Sequence, residues 1–252
     1  MKLLVSPRDE GEALEAVAGG ADIIDVKNPV EGSLGANFPW IIRRIREVVP
    51  AEIEVSAAVG DVPDLPGTVS LAALGVATLG ANYIKVGLSG PRSIDGATYL
   101  MSCVVHAVRD LDPRVKVVAA AYADWTRAGT VNPAHVPEIA KRSGSRVAMV
   151  DTKIKDGKRL FDFLSHRDLD LFIKRSHDLG LLAALAGSLQ KEDLPLLAKL
   201  NADIVGVRTA VCERLDRING RITRVKVREL VNVIRESSPD HALRTEPAKK
   251  GL

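Results

Sequence analysis

The sequence has few cysteines, histidines and aromatic residues. Its two cysteines form no CxxC pair, which excludes a disulfide-built scaffold, and we expect a reducing, cytoplasmic location. The five histidines fall in predicted helices, loops or the C-terminal tail, so the pattern predicts no metal site and no Ser-His-Asp triad. No GxGxxG or Walker motif follows a predicted strand, so we expect no nucleotide or other cofactor.

Charge of one sign and long apolar runs are also lacking. The chain carries 35 Lys and Arg against 32 Asp and Glu, and the net charge of +3 is spread along it. We therefore expect no nucleic-acid partner. No stretch free of charge approaches the length needed to cross a bilayer, and the N-terminus has no apolar signal segment. The sequence thus predicts a soluble protein that is neither exported nor bound to a membrane.

Aliphatic residues dominate what is present. The composition is 46% hydrophobic but only 4% aromatic, so the core must consist mainly of Ala, Val, Leu and Ile, as is typical of layered α/β proteins. Eight short apolar runs alternate with eight segments of helical periodicity, which predicts a single (β/α)8 TIM barrel over residues 1–236. Residues 237–252 lack periodicity and are expected to be a flexible polar tail.

The predicted strands cover residues 3–6, 22–27, 54–59, 82–86, 116–122, 146–151, 181–186 and 203–208. The predicted helices cover residues 9–18, 39–49, 68–79, 94–111, 133–143, 167–179, 190–200 and 223–236.

One pattern repeats in the even-numbered strands. Residues 20–27, 80–87, 144–151 and 201–208 each show a small turn followed by an apolar strand. Alignment of the four copies puts Lys27, Asp151 and Arg208 at equivalent positions, with Asp25 and Lys85 two positions earlier. Side chains alternate along a strand and alternate strands share layers in such barrels. We therefore expect the side chains of Lys27, Asp151 and Arg208 to share one layer at the barrel mouth. The side chains of Asp25 and Lys85 should lie in the layer just below.

Active sites of these barrels lie where the strands end. The polar residues and small turns predicted there are Ser6, Lys27, Asp61, Lys85, Asp124, Asp151, Lys153, Lys155, Gly187, Ser188 and Arg208. Two lysines facing one pocket lower each other's pKa, which makes an amine nucleophilic toward carbonyl groups, and Lys27 and Lys85 suit that arrangement. Asp25 could then act as a general acid and base. The same spacing also fits structural ion pairs among Asp25, Lys27 and Asp151.

A phosphate site is indicated independently. Gly187 and Ser188 follow the seventh predicted strand, and Gly206 and Arg208 end the eighth, which is the usual phosphate position in barrels. Backbone amides, a hydroxyl and a guanidinium suit a phosphate dianion. Alternatively, Ser188 caps the next helix. Residues 28–38 form a longer connection than is usual and could be a lid.

Long motifs in the chain are similar to those of a known family. They are LLVSP at 3–7, GGADIIDVKNP at 19–29, EGSLGANFPW at 31–40, GDVPDLPGTVSLAALG at 60–75, ANYIKVGL at 81–88, DTKIKDGKRLFDFLS at 151–165 and ADIVGVRTAVC at 202–212. Together they resemble the (5-formylfuran-3-yl)methyl phosphate synthase family. The resemblance implies a lyase of methanofuran biosynthesis and one-carbon metabolism that condenses two molecules of glyceraldehyde 3-phosphate through a Schiff base.

The resemblance also implies residue roles. Lys27 matches the family's Schiff-base lysine and Lys85 its proton-transfer lysine, while Asp25, Asp151 and Lys155 match further active-site positions. Two other functions stay open. One is a lysine-dependent aldolase of class I type that acts on another sugar phosphate, and the other is a non-catalytic barrel that binds a sugar phosphate. Apolar helix faces could serve a homo-oligomer as well as the barrel itself.

Overall fold

Eight parallel strands close into a barrel in the computed structural model, which describes residues 1–237. The strands are β1 (Lys2–Val5), β2 (Ile23–Val26), β3 (Glu54–Val62), β4 (Tyr83–Leu88), β5 (Lys116–Tyr122), β6 (Val147–Asp151), β7 (Leu182–Leu185) and β8 (Ile204–Val207). Each pairs with its sequence neighbours, and β8 pairs with β1. The predicted TIM barrel is confirmed. The predicted tail lies outside the described residues beyond Ser237.

Helices connect the strands on the outside of the barrel. They are α1 (Glu10–Gly19), α2 (Pro39–Val48), α3 (Pro66–Ala77), α4 (Ile94–Leu111), α5 (Trp125–Ala128), α6 (Val136–Ser143), α7 (His166–Asp178), α8 (Leu194–Lys199) and α9 (Arg224–Glu236). Asp9, Ser93 and Ser165 cap α1, α4 and α7 by accepting a hydrogen bond from a backbone N–H of the first turn. Within residues 1–237 no helix has the length and apolar character of a bilayer span.

Aliphatic side chains fill two separate layers. The larger layer lies between the strands and the helices and includes Ile24, Val86 and Leu100. The smaller layer fills the barrel itself with residues such as Ile23 and Met149. Strand side chains alternate between these two layers, so both faces of the strands are buried. The strands can therefore be apolar throughout, in agreement with the aliphatic composition. A barrel packed in this way concentrates polar chemistry toward its ends.

The structure differs from the predicted boundaries at several points. Four of the eight strands, β1, β2, β7 and β8, end one residue earlier than predicted, so Lys27 and Arg208 lie just beyond β2 and β8. By contrast, β3 continues to Val62 through a β-bulge, where Ala58 pairs with Lys85 but Asp61 pairs with Gly87. The short helix α5 was not predicted, because four residues carry no measurable periodicity.

Candidate active site

An ion pair lies inside the barrel below its C-terminal end. Lys85 Nζ on β4 is 2.5 Å from Asp25 Oδ2 on β2, and both side chains are buried. The same oxygen accepts a hydrogen bond of 2.8 Å from Ser6 Oγ, which follows β1. Buried charges are tolerated when they are paired in this way. The sequence-predicted proximity of Asp25 and Lys85 is therefore found as a direct contact.

The second carboxylate oxygen of Asp25 has no partner. Asp25 Oδ1 is buried and makes no hydrogen bond with the residues that the structure describes. An unsatisfied buried acceptor is costly and is uncommon outside functional sites. This oxygen is thus available to accept a proton from a ligand or a water molecule.

Lys27 presents a buried amine to the same region. Its backbone lies at the end of β2, where its N–H donates to the carbonyl oxygen of Pro7 at 3.3 Å. Among residues 1–237 its ammonium makes no hydrogen bond or ion pair, although Asp151, Lys85 and Asp25 act on it through their charges. Burial lowers the pKa of Lys27 to about 7, with Asp151 opposing this effect and Lys85 adding to it. The side chain is therefore largely a neutral nucleophile above neutral pH.

Asp151 carries the negative charge with the largest effect on this amine. Its Oδ1 accepts hydrogen bonds from Lys155 Nζ at 2.8 Å and from the Thr152 N–H at 2.7 Å. Although burial opposes ionisation, the ammonium groups of Lys155 and Lys27 lower the pKa of Asp151 below its usual value. Asp151 therefore stays a carboxylate and is suited to hold a cation or a substrate hydroxyl.

The turn after β7 exposes unpaired backbone amides. Gly187 and Ser188 both have positive φ, at 117° and 53°, and the N–H groups of Gly187, Ser188 and Leu189 make no hydrogen bond within the described part of the chain. The next helical turn begins at Lys191 and is capped from Gln190, not from Ser188. The alternative that Ser188 is a helix cap is therefore wrong. Free amides in a turn form a typical anion-binding site.

Arg208 lines the same cavity, but its guanidinium is already bound. Its Nη1 donates to Glu12 Oε2 on α1 at 2.7 Å and to the carbonyl oxygen of Ser6 at 2.8 Å. Its Nε donates to the carbonyl oxygen of Arg217 at 2.8 Å. Arg208 thus shares the cavity with Lys27 and Asp151, as expected from the repeat, while its charge is balanced by a buried carboxylate. Its direct role toward a phosphate stays a prediction.

Sequence reasoning missed Arg217. This residue lies in the long connection between β8 and α9, and it lines the cavity beside Lys27, Gly187 and Ser188. Its guanidinium forms no ion pair with a residue in the described range, and burial lowers its pKa. A half-buried guanidinium without a carboxylate partner is suited to bind an oxyanion. The only signal in the sequence was the unusual length of that connection.

The predicted lid covers the barrel mouth. Ser33 Oγ donates to the carbonyl oxygen of Thr152 at 2.7 Å, and Arg217 Nη2 donates to that of Gly32 at 2.7 Å. The Ser33 N–H donates to Asp61 Oδ2 at 2.9 Å. Gly32 has a φ of 148°, and a Cβ there would lie 2.3 Å from the same carboxylate oxygen, so only glycine fits. Leu34 is fully buried against the barrel interior.

The cavity at the barrel mouth is small. The cavity between Lys27, Asp151, Gly187, Gly206 and Arg217 has a volume of about 20 Å³. One water molecule needs about 10–15 Å³ on the same scale, so a phosphorylated sugar does not fit without a change. A ligand of that size therefore needs residues around the cavity to move, and we expect residues 28–38 to do so because they lie over the barrel mouth.

The chain matches known proteins over nearly all of its length. The model of the family described as 4-HFC-P synthase matches residues 3–231. A (5-formylfuran-3-yl)methyl phosphate synthase from Methanocaldococcus jannaschii is 60% identical over 230 residues, covering 91% of this chain and 98% of that protein. A synthase of the same name from Methanopyrus kandleri is 56% identical over 233 residues, covering 92% and 98%.

Solved structures of more distant proteins share the fold. A 3-hexulose-6-phosphate synthase from Salmonella typhimurium has a TM-score of 0.67 at 19% identity, over 94% of this chain and 100% of that chain. A phosphoribosyl anthranilate isomerase from Thermus thermophilus has a TM-score of 0.61 at 16% identity, over 94% and 99%. At such identities the likeness extends to the fold alone. The match to the family model and the similar relatives show that the chain belongs to the 4-HFC-P synthase family, the (5-formylfuran-3-yl)methyl phosphate synthases.

Proposed function

We propose that this protein condenses two molecules of glyceraldehyde 3-phosphate into (5-formylfuran-3-yl)methyl phosphate. The atoms balance when one inorganic phosphate and two molecules of water are released. The family membership and the names of the relatives support a synthase with this product. The substrate and the chemical route are inferred from the residues of the site and from the motifs.

The observation that carries the proposal is the buried amine of Lys27. Because its pKa lies at about 7, a large fraction is neutral under ordinary conditions and can attack the aldehyde carbon of a triose phosphate. Loss of water from the carbinolamine then gives a protonated imine. This cation withdraws electrons from the neighbouring carbon, whose proton becomes acidic. Imine formation thus makes both phosphate loss from one triose and aldol-type addition to the other accessible.

Asp25 and Lys85 are proposed to move the protons. Asp25 Oδ1 lacks a partner within the described residues, whereas Oδ2 is held by Lys85 and Ser6, so the carboxylate is oriented with one oxygen free. A positioned carboxylate can remove the acidic proton and return it to a leaving hydroxyl group. Lys85 Nζ, 2.5 Å from Asp25, can exchange the proton with it.

Asp151 and Lys155 are proposed to orient the substrate, and the turn after β7 to bind its phosphate. Asp151 remains ionised beside Lys27 and can stabilise the positive imine. Gly187 and Ser188 offer backbone N–H groups without a partner in the described residues. Gly206 leaves room for the phosphate at the end of β8, and Arg208 and Arg217 supply positive charge. Arg217 has the guanidinium without a carboxylate partner among residues 1–237, while Arg208 holds the backbone of Arg217 in place. Closure of residues 28–38 would exclude water from the imine.

The proposal assigns the protein to the carbon–oxygen lyases that act on phosphates, in methanofuran biosynthesis and in the cytoplasm. These assignments rest on the resemblance of the motifs and on the names of the relatives. No metal enters the proposed route. Among residues 1–237 no group of three or more His, Cys, Asp or Glu side chains is arranged to hold a metal ion.

Product analysis and covalent trapping test the proposal. Purified protein incubated with glyceraldehyde 3-phosphate should form a compound that absorbs in the ultraviolet and has the mass of the furan aldehyde phosphate. Borohydride added during turnover should leave a mass adduct on the peptide that contains Lys27. The Lys27→Ala variant should give neither signal. An active enzyme that is inactivated by borohydride with Lys27 unmodified would exclude the proposed nucleophile.

A further inference from the structure

The proposed reaction, on which this inference rests, brings two phosphate dianions into one barrel. The turn after β7, together with Arg217, can hold one of them. The second triose phosphate also needs donors for its phosphate, because two dianions cannot share a single site without strong repulsion. Lys153 is a further cation near the mouth, and the mechanism above does not use it.

Lys153 has an ammonium group without a carboxylate partner. Its Nζ donates to Ser89 Oγ at 2.5 Å and lies 5.8 Å from the centre of the Tyr122 ring. Over residues 1–237 no acidic side chain lies within 4.0 Å of it, whereas Lys155, two residues later, pairs with Asp151. A half-buried ammonium held by a hydroxyl group and an aromatic face is ready to bind an anion.

Hydrogen bonds to Asp124 hold the backbone of Lys153 in place. Asp124 is fully buried, and its two carboxylate oxygens accept hydrogen bonds from the N–H groups of Lys153 at 2.7 Å and of Ile154 at 2.9 Å. The backbone at Lys153 is therefore held in place before any ligand binds. A solvated surface lysine has no such support and loses more rotamer freedom when it orders.

The location suits a second phosphate. Ser89 follows β4, and the first phosphate site follows β7 and β8. Since the strands close in sequence order, β4 lies opposite β8 in the barrel. Lys27 follows β2, which is two strands away from β4 on one side and from β8 on the other. Its amine thus stands between the two sites, where the carbon chains of two trioses would meet.

We propose that Lys153 and Ser89 bind the phosphate of the second triose phosphate, the one that does not form the imine. Lys153 supplies the charge and Ser89 supplies a hydroxyl donor. The geometry separates the two phosphates across the mouth and directs both aldehyde ends toward Lys27. The two residues are thus binding residues for the second substrate and take no part in imine formation.

Separate measurements of the two binding events test this. The first is the glyceraldehyde 3-phosphate concentration that gives half-maximal borohydride trapping on Lys27, and the second is the KM for furan formation. Lys153→Met should leave the first within about twofold and raise the KM about 50-fold or more, as expected for a charged contact that contributes about 2–3 kcal/mol. Ser89→Ala should raise the KM about fivefold in the same manner, which corresponds to about 1 kcal/mol.

Lys158→Met is the matched control, because Lys158 is an exposed lysine in the same connection after β6. It should change neither measurement. If Lys153→Met and Ser89→Ala both leave the KM unchanged, or if both raise the trapping concentration as much as the KM, the inference is wrong. If the wild-type protein neither traps the triose nor forms the furan, the proposed function itself fails. Thermal unfolding of each variant establishes that the barrel is intact.

Discussion

Lys85 Nζ and Asp25 Oδ2 form a buried contact of 2.5 Å that joins β4 to β2 across β3. Both side chains are buried, and within residues 1–237 Ser6 is the one further residue whose side chain hydrogen-bonds the pair, so each charge depends largely on the other for its solvation. The pair therefore bears on stability as well as on the proposed proton transfer. A change in one partner alone should be more damaging than a change in both.

Replacement of Asp25 by Asn tests this dependence. Asp25→Asn leaves a buried ammonium uncompensated, and the free energy of unfolding should fall by about 3–5 kcal/mol. The double variant Asp25→Asn, Lys85→Met should recover a large part of that loss, as measured by urea denaturation. Asp170→Asn is the control, because it removes an exposed pair with Lys174 and should cost about 0.5 kcal/mol or less. Additive losses in the double variant would show that the pair is not coupled.

The lowered pKa of Lys27 predicts a specific pH dependence. Only the neutral amine attacks the aldehyde, so the rate of reductive trapping should rise with pH and level off above about pH 7. At pH 5 it should be about 100-fold below the plateau, whereas an ordinary lysine would still gain at pH 9. A trapping rate that keeps rising to pH 10 would contradict the buried environment of the amine.

The same lowered pKa also affects stability. Between about pH 7 and the ordinary lysine pKa, the unfolded chain binds a proton that folded Lys27 does not, so folding becomes more favourable as pH rises through this window. Lys27→Met removes this dependence. The unfolding midpoint of Lys27→Met minus that of the wild type should increase as the pH falls from 10 to 7. This difference should stay constant below pH 7. A difference that does not vary with pH would contradict this prediction.

Arg217 is expected to matter for both substrate binding and lid closure. Arg217→Met removes a guanidinium that lines the cavity and also donates to the carbonyl oxygen of Gly32. The triose concentration for half-maximal trapping should rise at least about tenfold, corresponding to about 1.4 kcal/mol or more. Arg214→Met is the control, since Arg214 is exposed in the same connection. Equal effects of the two substitutions would indicate a general charge effect and not a defined contact.

Asp61 is expected to hold the lid closed. Its carboxylate accepts hydrogen bonds from the Ser33 N–H and from Tyr122 Oη, the latter at 2.5 Å. Asp61→Ala should therefore speed hydrogen exchange of the Ser33 and Leu34 amides by about tenfold or more and lower the furan yield per imine formed. Asp64→Ala, a change at an exposed residue just after β3, should leave exchange unaltered. Unchanged exchange in Asp61→Ala would rule out the anchor.

The barrel itself could be predicted from the sequence because its signal is local and repeated. The alternation of apolar runs with helical segments predicted the boundaries of β5 and α4 correctly, and the repeat of the even strands placed Asp25 and Lys85 on one face. Periodicity of two along a strand directly reports which side chains share a face. Where a strand is regular, its sequence therefore also predicts which side chains lie together at its C-terminal end.

The rest of the site depends on irregular segments, for which no periodic signal exists. Arg217 reaches the cavity from a connection without regular structure, and the guanidinium of Arg208 turns to Glu12, a residue far away in the sequence. Neither contact can be predicted from the spacing of residues along the sequence. The covering of the mouth by residues 28–38 also requires hydrogen bonds to β3 and to two separate connections, which only the folded barrel brings together.

The bulge in β3 decides which way Asp61 faces. Ser56 and Ala58 lie on the inner side, so uninterrupted alternation would send Asp61 outward to the helices. Three steps along β3 match two along β4 at the bulge, and Gly60, with a φ of 112°, accommodates the extra residue. A regular strand of the same sequence would keep the carboxylate in the chain but turn it away from the lid. Closure of the mouth thus depends on one irregular step in a strand that contributes no residue to the cavity beneath it.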